Sequence, residues 1–116
     1  AMQLAAAKAL EAGEDWYASN NQNYRNRRQL AGEIMEALQC TYDDHQVGMF
    51  LWGKIPASCT DVEELTEKVL HQARVFITPG FIFGSNGARY IRISLCCKDE
   101  KLAEALERIK EMNKNK

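Results

Sequence analysis

The stretch Thr78–Cys96, TPGFIFGSNGARYIRISLC, decides the fold. Pro79 and Gly80 end the apolar run 75–78. Gly84 and Gly87 then punctuate a loop that also carries Phe81, Ile82 and Phe83. Beyond it Ile91, Ile93 and Leu95 alternate with Tyr90, Arg92 and Ser94, a period of two that predicts a strand over Arg89–Cys96. Two apolar runs joined by a short loop are expected to pair antiparallel. Arg92 then stands in mid-strand, on the face opposite the aliphatics. A guanidinium is rarely buried without a partner. Three partners are open at this point: a bound carboxylate, a structural salt bridge, or water on the wet face of an antiparallel sheet.

Downstream, Asp99 is a good N-cap for a helix running to Asn113, with Leu102, Leu106, Ile109 and Met112 as its apolar stripe and 114–116 as a frayed tail. Upstream, Thr60-Asp-Val-Glu63 reads as a capping box opening a helix over Asp61–Gln72, with Val62, Leu65, Val69 and Leu70 inward. Val75–Ile77 is the next predicted strand. The run from Gly48 to Gly53 (GMFLWG) is apolar on both faces, which predicts a strand buried on both sides. It is either a central strand or one whose outer face is covered by a partner or by further chain. A long helix over Glu14–Gln39 carries Tyr24, Ala31, Ile34, Met35 and Leu38 on one stripe with Leu30 on its flank, and Asn20, Asn21 and Asn23 could break it. Arg25, Arg27 and Arg28 form a solvated or ion-paired helix face. Gln3–Ala12 reads as a short alanine-rich helix stopped by Gly13. Ala1 before Met2 reads as a cloning residue, and a helix that begins at the first residue reads as the stump of a longer one.

The 116 residues make one domain with a modest core. A net charge of -1 implies no nucleic-acid or membrane partner, and no apolar run approaches the roughly 20 residues of a membrane span. No signal peptide is recognisable. Cys40, Cys59, Cys96 and Cys97 show no CxxC spacing and stand in no metal-ligand pattern with His45 or His71, so the thiols are read as reduced and structural and the compartment as cytoplasmic. The order helix, helix, strand, helix, strand, strand, helix predicts an α+β two-layer sandwich: a small, largely antiparallel sheet with helices packed on one face, filling residues 1–116 as a single domain.

No paired carboxylates and no nucleophile–base arrangement stand out. The glycine loop joins two strands and lacks the GxxxxGK pattern, so its glycines serve turns rather than phosphate binding. Taken together, GMFLWGKIP from Gly48, VFITPGFIFGSNGARYIRISL, the terminal LAEALERI helix and the upstream WYASNNQNYRNRRQLAGEIMEAL resemble the C-terminal small domain of fold-type I, class I/II aminotransferases that depend on pyridoxal 5′-phosphate (PLP). The order Pro79, Gly80, Phe83, Gly84, Gly87, Tyr90, Arg92 is the most specific part.

The resemblance implies that Arg92 binds the α-carboxylate of an amino acid or 2-oxo acid substrate by a bidentate pair, a geometry that lysine cannot copy. It implies PLP and a homodimer for a full-length enzyme. It also implies that the cofactor lysine and the PLP-binding large domain lie outside this chain, since Lys54, Lys68 and the tail lysines do not match the cofactor-lysine motif. No cofactor and no catalytic residue are therefore expected in the chain itself, and it is expected to be inactive alone. The same fold admits two alternatives: the small domain of a related PLP lyase or synthase, or a stand-alone binding or oligomerisation module.

Overall fold

The computed structural model describes residues 1–11 and 13–114. In chain order these form α1 (Met2–Leu10), α2 (Glu14–Ala37), β1 (Phe50–Lys54), α3 (Val62–Ala73), β2 (Thr78–Pro79), β3 (Tyr90–Ser94) and α4 (Asp99–Lys114), with two 3-10 turns, Gly80–Phe83 and Ser85–Gly87, between β2 and β3. The sheet order is β1-β3-β2, antiparallel throughout. One face of it carries Leu51, Ile91, Ile93 and Leu95 into a core completed by Ala31, Ile34 and Met35 of α2, Val62, Leu65 and Val69 of α3, and Leu102, Leu106, Ile109 and Met112 of α4. This is the two-layer α+β arrangement expected from the sequence, because each helix has one apolar stripe and only one sheet face offers aliphatics to it.

Several expectations change in detail. The run from Gly48 forms an edge strand, not a central one: within this chain Leu51 and Gly53 are buried, while Phe50 and Trp52 on the other face are half-buried. β3 takes the centre, paired along its whole length with β1 and at Ile91 and Arg92 with β2. The outer edge of β1 is occupied by its own connection. Lys54 and Thr41 exchange backbone hydrogen bonds of 2.7 and 2.9 Å. The Gln46 side chain accepts from the Trp52 N–H (3.0 Å) and donates to the Trp52 carbonyl (2.9 Å).

The strand expected over Val75–Ile77 lies later, at Thr78–Pro79, and has two residues. Proline lacks an N–H, so it ends the ladder where it begins. The capping residue of α3 is Asp61 rather than Thr60: its carboxylate accepts from the Glu64 N–H at 2.8 Å, and Glu64 reaches back to the Thr60 N–H at 3.2 Å. The frame of the capping box is thus shifted by one residue. Leu70 is exposed, not inward, because it lies about 70° to the side of the stripe through Val62, Thr66, Val69 and Ala73.

The asparagines do not break α2, which is continuous. It ends at Ala37 in a Schellman motif, with Gln39 at φ 61°, its N–H on the Glu36 carbonyl (3.0 Å) and the Cys40 N–H on the Met35 carbonyl (2.8 Å). Gly13 is the N-cap of α2 (φ -74°) rather than a helix stop, and α1 closes at Glu11; the expected end at Ala12 lies outside the described residues, as do 115 and 116. Asp99 is the first helical residue of α4, and its carboxylate is taken by Arg27. None of α1 is buried. That helix and the first turns of α2 stand away from the core, which raises the radius of gyration to 16.5 Å, against about 13 Å for a compact chain near this length.

Candidate functional site

The outer face of the sheet carries the residues that alternate with the core. On β3 these are Tyr90, Arg92 and Ser94, on β1 Phe50, Trp52 and Lys54, and on β2 Thr78. The register sets Arg92 between Trp52 on one side and Thr78 on the other. The guanidinium is thereby held at the middle of the face, with an aromatic row beside it.

The β2–β3 connection adds the next side chain. Its backbone is folded on itself: Gly84 N–H donates to the Phe81 carbonyl (3.1 Å), Gly87 N–H to Gly84 (3.0 Å) and Ala88 N–H to Ser85 (3.2 Å). Gly80 and Gly87 meet so closely that a β-carbon on either would strike the other's carbonyl. Gly84 takes φ 127°, which an L side chain rarely adopts. These turns return Phe83 over the sheet. Its ring meets Trp52 edge-on, centroids 5.6 Å apart at 74°.

Arg92 lies over two ring faces, with its guanidinium carbon 4.1 Å from the Phe50 centroid and 4.2 Å from that of Phe83. Among the described residues it has no hydrogen bond and no ion pair. The contrast with other arginines is chemical. Arg27 donates to Asp99 (2.8 Å) and to the Leu95 carbonyl (3.1 Å), and its hydrogen bond to Asp99 raises its already high pKa. Arg28 donates to the Gly48 carbonyl, Arg89 to the Pro56, Cys59 and Thr60 carbonyls, and Arg108 to Glu104 and the Arg74 carbonyl. Those four tie segments together. Arg92 has no such oxygen acceptor among the described residues, so the structural salt bridge that the strand pattern left open has no partner within them.

At the sheet edge beside Arg92, where β2 stops short, a cleft of about 310 Å³ opens between the strand and the helices, lined by Thr78 and Arg92 and by Ile34, Ile93, Leu102 and Ala105 among others. Phe76 is 70% exposed and Ile82 59%, so the outward side of the fold around Arg92 is strongly apolar. Such a surface can bind an anion that brings apolar surface with it.

The chain's own residues do not fit PLP. The N–H groups of Gly84, Gly87 and Ala88 are consumed within the glycine turns and are not offered to a phosphate. Lys54 and Lys101, the lysines at the outer face and the cleft, are exposed to water. Among the described residues no group of three or more histidine, cysteine, aspartate or glutamate side chains could hold a metal. No described helix is long and apolar enough to cross a membrane.

Sequence reading singled out Arg92 and missed Phe50, Trp52, Phe83 and Gln46. The signal for two of them was present: Phe50 and Trp52 alternate with the buried Leu51 and Gly53, so they had to share a face. Phe83 had no comparable signal, because its place depends on how two consecutive 3-10 turns close.

A family model described as "aminotransferase class I and II" matches residues 1–109. The chain is 33% identical over 112 residues to LL-diaminopimelate aminotransferase of Maridesulfovibrio salexigens, an alignment covering 97% of this chain and 29% of that protein. Among solved structures it superposes on the aromatic aminotransferase of Pyrococcus horikoshii OT3 with a TM-score of 0.80 at 31% identity, covering 97% of this chain and 31% of that one. A PLP-bound chain from Clostridium difficile 630 gives a TM-score of 0.69 at 29% identity, covering 86% of this chain and 26% of that one. The chain thus spans less than a third of the length of these relatives.

Proposed function

The chain belongs to the aminotransferase class I and II family, and from that premise we propose that it is the C-terminal small domain of a PLP-dependent aminotransferase, in which Arg92 binds the α-carboxylate of the amino acid and 2-oxo acid substrates. The observation that carries this reading is a mid-strand guanidinium whose donors are unspent, on an apolar sheet face with a cleft beside it. A planar guanidinium offers two parallel N–H groups to two carboxylate oxygens, which fixes both the position and the orientation of the substrate. The surrounding rings exclude water from that pair, so it is stronger than it would be in bulk solvent.

In this proposal PLP, and the residues that move protons at the substrate α-carbon, belong to the two-thirds of the relatives' length that this chain does not span. The chain alone binds no PLP specifically and does not transaminate. The full-length enzyme is a homodimer of the cytoplasm.

The test is made in the full-length protein. Endogenous polypeptide detected with an antibody against this chain should be several-fold heavier than 13.2 kDa. In that protein, Arg92→Lys should lower kcat/KM for amino acids by about 10²-fold, the scale of losing one charge-assisted hydrogen bond and its geometry. An amine substrate analogue lacking the carboxylate should be nearly unaffected. A band at the mass of this chain would refute the reading, and so would an Arg92→Lys enzyme that still prefers the amino acid over the amine as strongly as the parent.

A further inference from the structure

The carboxylate reading requires Arg92 to be in place before substrate arrives. A free arginine on a strand is not: its four side-chain torsions are soft, and ordering them costs affinity at the moment of binding. Most arginines are fixed by oxygen acceptors, but an acceptor would occupy the N–H groups that the substrate needs. Arg92 is held differently. Its guanidinium carbon lies over the Phe50 ring at 4.1 Å and the Phe83 ring at 4.2 Å. A ring face attracts the cation through its quadrupole and accepts no conventional hydrogen bond at the guanidinium edge. The donors stay free while the ion is confined.

Both rings are themselves anchored. Phe50 is set by the ladder of β1, opposite Ser94. Phe83 ends a 3-10 turn whose next residue, Gly84, bends the chain back, and its ring is braced edge-on by Trp52. Trp52 is fixed through its backbone by the Gln46 amide. The confinement of Arg92 thus rests on a chain of contacts that runs into the sheet and out to its edge.

We infer that Phe50 and Phe83 are positioning residues for the substrate carboxylate: they form an aromatic clamp that holds the Arg92 guanidinium with its donors free. The inference rests on the carboxylate role of Arg92 and adds to it. It assigns the affinity for the carboxylate partly to two residues that accept no hydrogen bond from it. It also predicts that the clamp affects every substrate equally, since the α-carboxylate is common to all of them.

The experiment uses the full-length enzyme with Phe50→Leu, Phe83→Leu, Phe50→Tyr and Phe83→Tyr, each alone and with Arg92→Lys. Leucine keeps apolar bulk and removes the ring, while tyrosine keeps the ring. Each leucine variant should raise KM for amino acid and 2-oxo acid by about 3–10-fold, with kcat changing less than KM. The tyrosine variants should restore KM to near the parent value. In the Arg92→Lys background, the leucine substitutions should have much smaller effects, because the group they position is gone.

Phe83 is set by a turn outside the core, so Phe83→Leu, read with its melting temperature beside KM, separates positioning from folding even if Phe50→Leu does not fold. Unchanged KM in Phe83→Leu overturns the clamp, and so does a KM effect that persists in full beside Arg92→Lys. If instead Arg92→Lys itself leaves the preference for amino acid over amine intact, it is the carboxylate reading that fails.

Discussion

Gln39→Gly should make this protein more stable, although it removes a side chain and adds no contact. Gln39 closes the Schellman motif of α2 in the left-handed region, at φ 61°. Holding an L residue there costs about 1–2 kcal/mol, which glycine avoids. Against that, glycine is freer in the unfolded chain, which costs about 0.5–1 kcal/mol. The two motif hydrogen bonds are made by backbone atoms, Gln39 N–H to Glu36 and Cys40 N–H to Met35, and survive the change. The net gain is about 0.5–1 kcal/mol. Unfolding entropy near 2.1 cal/mol/K per residue over 116 residues gives about 0.24 kcal/mol per kelvin, hence a rise in Tm of about 2–4 °C. Arg74 caps α3 in the same conformation, φ 57° and ψ 39°, and Arg74→Gly should give a similar gain. Its carbonyl accepts from Arg108, a bond that the substitution leaves in place. Urea melts of both variants, with Gln39→Ala as the control, provide the assay. Gln39→Ala should give no gain, because alanine keeps the β-carbon that conflicts with this conformation. A glycine variant no more stable than the parent, with an unchanged m-value, would refute the reasoning.

Other outcomes follow from the same geometry. Burial, helped by the neighbouring Cys59, pushes the Cys40 thiol up to about 11 from its ordinary 9.0, so near pH 8.5 a thiol reagent should label the exposed Cys96 first and leave Cys40 unlabelled in the native state. Since the folded pKa is raised, the stability it contributes is complete below pH 9 and is lost as pH rises toward 11, which alkaline urea melts of parent and Cys40→Ala would detect as a difference in slope. Gly87→Ala should destabilise by about 2 kcal/mol or more, because the new methyl meets the Gly80 carbonyl, and should change Trp52 fluorescence as Phe83 moves; a variant that melts with the parent would contradict the close approach. Borohydride reduction after addition of PLP should label no single lysine of this chain stoichiometrically, read by peptide mass mapping.

The parts of the fold legible in the sequence are those set by local period. The alternation of Ile91, Ile93 and Leu95 with Tyr90, Arg92 and Ser94 fixed both faces of β3, and the stripe of α4 was read correctly at Leu102, Leu106, Ile109 and Met112. What was not legible depends on partners far along the chain. Whether GMFLWG is central or at an edge turns on which strand pairs where, and its own residues are apolar in either case. Asp99 reads as a cap until Arg27 is seen to take it. Arg92 could be found because a cation in mid-strand violates a local expectation. The rings that hold it violate none, since phenylalanine in a strand or beside a glycine turn needs no special explanation.

The seal on β1 has a consequence for how molecules with this face can meet. On an edge strand, every second residue points its N–H and C=O outward, where a foreign strand can pair with them. At Trp52 and Lys54 those groups are already bound, by the Gln46 amide and by Thr41. A neighbouring chain that presses its side chains against the aromatic face finds those two rungs of the edge already taken. Contact there stays side chain to side chain and can be undone, whereas lengthening the sheet strand by strand is the first step toward a fibre.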